Sequence, residues 1–134
     1  MPVVSITRLR VRSRRYLPGF LVAAFRSGRQ VRRSDGNLGI ALLNDRRMTF
    51  WTKTVWESEE AMKAFMHASP HGPVMKKLLN WCDEAALVHW TQDEATLPSW
   101  EEAYRRIQAE GRRSKVNHPS PAHVDYRIDA PRVK

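Results

Sequence analysis

The sequence predicts an α+β domain made of two β-α-β halves around a hairpin, and three observations carry that prediction. Residues 3–13 alternate as a strand does, and residues 16–31 change to a helical repeat. A run of β-branched and aromatic residues then fills 48–56, and strand and helix patterns recur up to residue 92. At 134 residues the chain suits one domain and can bury an ordinary core.

Each element follows from its residues. In Val3 to Ser13, Ser5, Thr7, Leu9 and Val11 point one way while Arg8, Arg10 and Arg12 point the other, which is strand periodicity. In Tyr16 to Val31, Leu17, Phe20, Leu21, Ala24, Phe25 and Val31 form the stripe of an amphipathic helix, with Pro18 tolerated in the first turn and Gly28 able to end it early. Ser34-Asp35-Gly36-Asn37 is turn chemistry. Leu38 to Leu43 and Met48 to Trp56 read as a hairpin, with Asn44-Asp45 starting its turn. Ser58 caps a helix that sets Glu59 and Glu60 against its positive end and carries Ala61, Met62, Phe65 and Met66 as its stripe. Pro70, Gly72 and Pro73 break it, and a second helical piece presents Val74, Met75, Leu78, Leu79 and Cys82. Ala86 to Trp90 is the last strand, and Ser99-Trp100-Glu101-Glu102 is a capping box opening a final helix.

The order β-α-β-β-α-β-α describes a ferredoxin-like βαββαβ domain with an added C-terminal helix. Its antiparallel sheet carries helices on one face. Phe50, Trp51, Val55, Trp56, Val88 and Trp90 are too apolar for the other face to be wet. Pairing two copies sheet on sheet buries that face, so the expectation is a homodimer, a dimeric α+β barrel. Residues 1–110 form this domain. Residues 111–134 are a basic tail interrupted by Pro119, Pro121 and Pro131, read as a flexible extension or an arm on the partner subunit. Val124 to Ile128 alternates weakly, as a strand-like arm does.

Composition narrows the function classes. The single cysteine, Cys82, excludes an intramolecular disulfide framework and multi-cysteine metal sites, and it reads as a core residue. No signal segment or membrane span can be made from the apolar run Leu17 to Phe25, which Pro18 and Gly19 interrupt. The expectation is a soluble, cytoplasmic protein without membrane partners. The net charge of +9 is localised: residues 1–34 hold nine arginines and no acid. Such a patch attracts an anion or is a solvated face offset by a partner. No nucleic-acid motif accompanies it, so a nucleic-acid partner is disfavoured.

The segment Phe50-Trp51-Thr52-Lys53-Thr54-Val55-Trp56-Glu57-Ser58-Glu59-Glu60-Ala61-Met62-Lys63-Ala64-Phe65 resembles the hairpin-to-helix segment of the antibiotic-biosynthesis monooxygenase-like superfamily of dimeric α+β barrels. Ser69-Pro70-His71, Met75, Trp81-Cys82-Asp83-Glu84 and Val88-His89-Trp90 look closer to the branch of DUF3291 and spheroidene monooxygenase-like proteins. The resemblance covers residues 3–92. It implies a monooxygenase-like protein acting on a hydrophobic small molecule between sheet and helices, with haem as one option and cofactor-free chemistry as another. It equally accommodates a non-catalytic small-molecule or haem-binding dimer. Two departures stand out. The axial-histidine position of haem-degrading members, counted from Phe65, falls on Met75. The Asn, Trp and Tyr set of cofactor-free members is matched in kind by Trp alone.

His71 and His89 are the candidate catalytic residues. His71, in a Pro-His-Gly-Pro loop, can ligate haem iron, act as a base or bind substrate, or it simply caps the helix. His89 faces away from Val88 and Trp90, into a barrel or beneath the helices. Trp51, Trp56, Met75 and Trp90 are candidate ligand-binding residues for a planar or polyene molecule, against the commoner role of large aromatics as core. Arg8 and Arg10 would hold its carboxylates, haem propionates included. No metal site is expected, since His118 and His123 are too loosely spaced.

Overall fold

The computed structural model describes residues 1–67 and 71–132, leaving aside the side chains of 71–75. The alternating arginine segment forms β1 (Val3–Val11), followed by a 3-10 turn over Arg14–Tyr16. Helix α1 (Leu17–Arg33) starts with Pro18 in its first turn, where a missing N–H costs nothing, and continues through Gly28. Strands β2 (Asn37–Asp45) and β3 (Thr49–Trp56) form the hairpin. Asn44 and Asp45 are part of β2, and the reversal falls on Arg46 to Met48, with Arg47 and Met48 left-handed at φ 59 and 57. Gly36 adopts φ +85 before β2, and a Cβ there would meet Ala61 Cβ at 2.6 Å.

Ser58 caps α2 (Glu59–His67), its Oγ accepting from Ala61 N at 3.2 Å. Helix α3 (His71–Trp81) takes Gly72 and Pro73 into its first turn and runs straight into β4 (Cys82–Thr91), longer than the expected 86–90. The capping box holds: Ser99 Oγ accepts from Glu102 N at 3.1 Å and opens α4 (Trp100–Glu110). The short β5 (Arg112–Arg113) and α5 (Pro121–Val124) complete the chain. Val124 to Ile128 is not a strand, because α5 ends inside it and Tyr126 is left-handed at φ 52.

The five-stranded antiparallel sheet has the order β2-β3-β1-β4-β5, placing the first strand at its centre. One face meets α1, α2 and α3 through two separate apolar clusters. Val11, Phe20 and Cys82 anchor one, with Leu9, Phe50 and Trp81 packed on it; Val3, Val31, Trp56 and Met62 anchor the other. The opposite face carries Val4, Ile6, Trp51, Val55, Ala86 and Val88 under Ala103 and Ile107 of α4 and Ile128 of the tail.

That second face is where the sequence leaves an open apolar surface. The chain covers it itself. The tail wraps the β4 edge, with Ser114 N donating to Ala85 O, Asn117 N to Leu79 O and Ser120 N to Asp83 O at 2.7–3.0 Å. Burial of this face therefore needs no second subunit. No helix among the described residues is long and apolar enough to cross a membrane.

Candidate functional site

Registered pairing places a row of hydroxyls in the middle of the helix-facing sheet surface. Ser5 of β1 lies between Thr54 and His89, and Thr7 lies between Thr52 and Leu87. Side chains opposite each other across antiparallel strands share a face, so these six form one patch. It separates the two apolar clusters of that face and belongs to neither. Ser5, Thr7 and Thr52 are half-buried, and Thr54 is buried. Thr54 Oγ1 accepts from Trp56 Nε1 at 3.0 Å, and the Trp56 ring stacks on Phe65 with centroids 5.3 Å apart. Along α1, Ser27 falls between the residues committed to the two clusters, on the side of the helix that carries Phe20, Ala23 and Val31. Hydroxyls set in this way can orient a ligand's oxygens between apolar ends.

His89 stands at the exposed end of this row. It adds to the field on Glu59, whose carboxyl is held below its ordinary range chiefly by the hydrogen bond from Lys63. The other candidates divide between the two faces. Trp56 belongs to the hydroxyl face, while Trp51, Trp90, Arg8 and Arg10 lie on the other. Trp51 is 0% exposed, with an indole N–H that meets no acceptor among the described residues. Trp90 is part-buried beneath Arg106, whose guanidinium lies 4.6 Å from its ring centre. The side chains of His71 and Met75 lie outside the described residues.

Arg8 and Arg10 are already paired. Glu84 Oε1 accepts from Arg8 Nη1 at 2.7 Å, Glu84 Oε2 accepts from Arg10 Nη1 at 2.9 Å, and Ser120 Oγ donates to Oε2 at 2.8 Å. Burial pushes the Glu84 carboxyl up, but the hydrogen bonds from Arg8, Ser120 and Arg10 outweigh it and hold it below its ordinary range. Neighbouring Asp83 is raised, by burial first and by Glu84, with Arg10 pulling the other way. His123 Nδ1 accepts from Ala85 N at 3.3 Å, and burial, then Arg113, lower its pKa. A cavity of about 10 Å³ remains here beside Arg8, Glu84, His123 and Tyr126, room for about one water. This cluster fastens the tail to the sheet. Burial drives the Cys82 thiol up to about 12, so it stays protonated and inert at neutral pH.

A single haem cannot be shared by His89 and the Arg8–Arg10 pair, since they occupy opposite faces and both arginines are already engaged by Glu84. No group of three or more His, Cys, Asp or Glu among the described residues can hold a metal ion. Sequence reasoning did not single out the hydroxyl row, although Ser5 and Thr7 on β1 and Thr52 and Thr54 on β3 carry its signal at strand spacing. Glu84, Ser120 and His123 give no comparable signal, because their meeting depends on where the tail lies.

Comparison with solved structures supports the same architecture. SnoaB, a cofactor-independent oxygenase from Streptomyces nogalater, superposes with a TM-score of 0.58 at 19% identity, covering 73% of this chain and 98% of that one. Rv0793 from Mycobacterium tuberculosis gives 0.64 at 15% identity, covering 72% and 100%. An antibiotic biosynthesis monooxygenase gives 0.61 at 10% identity, covering 69% and 99%. These likenesses establish the ferredoxin-like α+β fold shared with monooxygenase-like proteins. No curated protein matches the chain. The family model described as domain of unknown function (DUF3291) matches residues 15–117, most of the chain, which therefore belongs to the DUF3291 family.

Proposed function

We propose that this protein is a small-molecule oxygenase that takes a planar, largely apolar substrate between α1–α3 and the sheet, over the hydroxyl row. The observation that carries the reading is the placement of Ser5, Thr7, Thr52 and Thr54 between two apolar clusters. Hydroxyls between the apolar clusters of a sheet face give up packing there, so they are expected where a ligand uses them. The fold held in common with a cofactor-independent oxygenase supports chemistry without a bound cofactor.

Such chemistry draws its electrons from the substrate. A phenol or an activated methylene ionises, and the electron-rich anion reduces O2. Conversion of a CH2 group to C=O then consumes one O2 and releases one water, with one oxygen atom entering the product. In this reading the hydroxyls hold the substrate's oxygens and stabilise its anion, while His89 takes the proton at the open end. The second reading, a binding protein without turnover, is favoured by the solvent exposure of His89, which leaves its proton-accepting nitrogen in water.

An oxygen electrode with a tricyclic anthrone as substrate separates the readings. Uptake of one O2 per anthrone is expected. Thr7→Leu, which fills the row, should raise KM or abolish turnover. His89→Ala should lower kcat by about 10²-fold with binding retained. Saturable binding without O2 uptake selects the binding protein, and absence of both overturns the proposal.

A further inference from the structure

The outward side of α1 takes no part in packing the helix on the sheet. Leu21, Val22 and Phe25 are 46%, 52% and 65% exposed, and they lie side by side on the strip of the helix opposite buried Phe20, Ala23 and Val31. The same strip continues with Arg26, Arg29, Arg32 and Arg33, all exposed. Apolar groups thus fill its first half and guanidinia its second. Arg14 and Arg15 precede it, and exposed Lys76 and Lys77 stand on α3, which packs against α1.

These cations differ from Arg8 and Arg10. Among the described residues, none of the six arginines at 14, 15, 26, 29, 32 and 33 forms an ion pair. Arg29 lies over the Phe25 ring at 5.9 Å and leaves its charge in solvent. A large exposed aromatic beside two exposed aliphatics marks a contact surface. Unpaired cations on the same strip state the charge of what it contacts.

We propose that α1 is a membrane-surface helix, docking the protein on anionic phospholipid with Leu21, Val22 and Phe25 entering the interface and the arginines meeting phosphate headgroups. Charge complementarity carries the choice. A second copy brought to this face would oppose like-charged strips with no acid in residues 1–34 to relieve them. Nucleic acid would satisfy the arginines and leave three apolar side chains without a role. A lipid interface satisfies both halves of the strip. The docking stands whether or not the protein oxygenates a ligand over the hydroxyl row.

Co-sedimentation with sucrose-loaded vesicles at about 0.15 M salt tests it, comparing phosphatidylcholine alone with a mixture containing about one-third phosphatidylglycerol. The full chain should partition onto the mixed vesicles and little onto phosphatidylcholine. The double variant Val22→Ser, Phe25→Ser should lose about tenfold or more in partition coefficient. The double variant Arg29→Gln, Arg33→Gln should lose the preference for phosphatidylglycerol. These side chains are exposed, so circular dichroism and the urea midpoint should match the parent. No partition onto mixed vesicles overturns the proposal, as does partition that Val22→Ser, Phe25→Ser leaves unchanged. Tight binding of duplex DNA without vesicle binding reassigns the strip to nucleic acid. A dimer dissociated by Val22→Ser, Phe25→Ser reassigns it to a second copy. Either result overturns the lipid reading.

Discussion

Glu84 joins parts of the chain that are far apart in sequence, accepting from Arg8 and Arg10 on β1 and from Ser120 in the tail. Its neutral isostere leaves the buried Arg8 guanidinium without a counter-charge and half-buried Arg10 with only Asp83, 3.8 Å away. Glu84→Gln is therefore expected to cost about 3–5 kcal/mol in urea unfolding, the range for breaking one side of a buried pair. Acid should mimic part of this. The Glu84 carboxyl is lowered in the fold, so its contribution is complete above the ordinary value of 4.5 and is lost as pH falls through the folded value beneath it. Asp83 works in the opposite sense: its carboxyl is raised, so protonation as pH falls relieves a strained charge. The urea midpoint of the parent should decline below about pH 4.5, and Glu84→Gln should lack that share of the decline.

At the scale of elements, α4 converts a capping signal into burial of a sheet face. The Ser99 bond to Glu102 N fixes its first turn, and Ala103 and Ile107 then close over Trp51 and Val55. Ser99→Ala is expected to lower stability by about 1 kcal/mol, read from the shift of the urea midpoint at constant m-value, with Ser99→Asp restoring it. This helix was legible because its cap, its acidic first turn and its apolar stripe agree within a few residues. The β2–β3 hairpin was legible for the same reason, since Thr49 to Trp56 is almost wholly strand-favouring. The start of β4 was not, because Cys82 continues the apolar stripe of α3 and nothing in Trp81-Cys82-Asp83 interrupts the chain. Site legibility stopped at a similar point. Alternation shows that Arg8 and Thr7 face apart, yet it cannot show that Glu84 lies beside the first or Leu87 beside the second.

For the whole molecule, the tail decides which surfaces are free. Ile128 and Tyr126 pack on the apolar face, Tyr126 donates its hydroxyl to Ile107 O at 2.6 Å, and Arg113 hydrogen-bonds the carbonyls of His123 and Val124. Its proline-rich composition hides this role, because single apolar residues spaced along an irregular chain carry no period. A chain ending at Glu110 should expose part of the Trp51 face, strip Ser120 from Glu84 and associate more strongly than the full chain. Sedimentation velocity at equal concentrations checks this, and identical profiles would show that the tail shields nothing.

The central place of β1 has a consequence for how the chain comes off the ribosome. β1 pairs with β3 on one side and β4 on the other, in register from Val3↔Thr91 to Val11↔Cys82. Its second edge therefore stays without a partner until β4, beginning at Cys82, has emerged, however early the hairpin zips against the first. A nascent chain of this topology carries an unpaired, arginine-studded β edge throughout the synthesis of the segment between β1 and β4, and the like charges at alternate positions of that edge protect it from joining its neighbours on the same message.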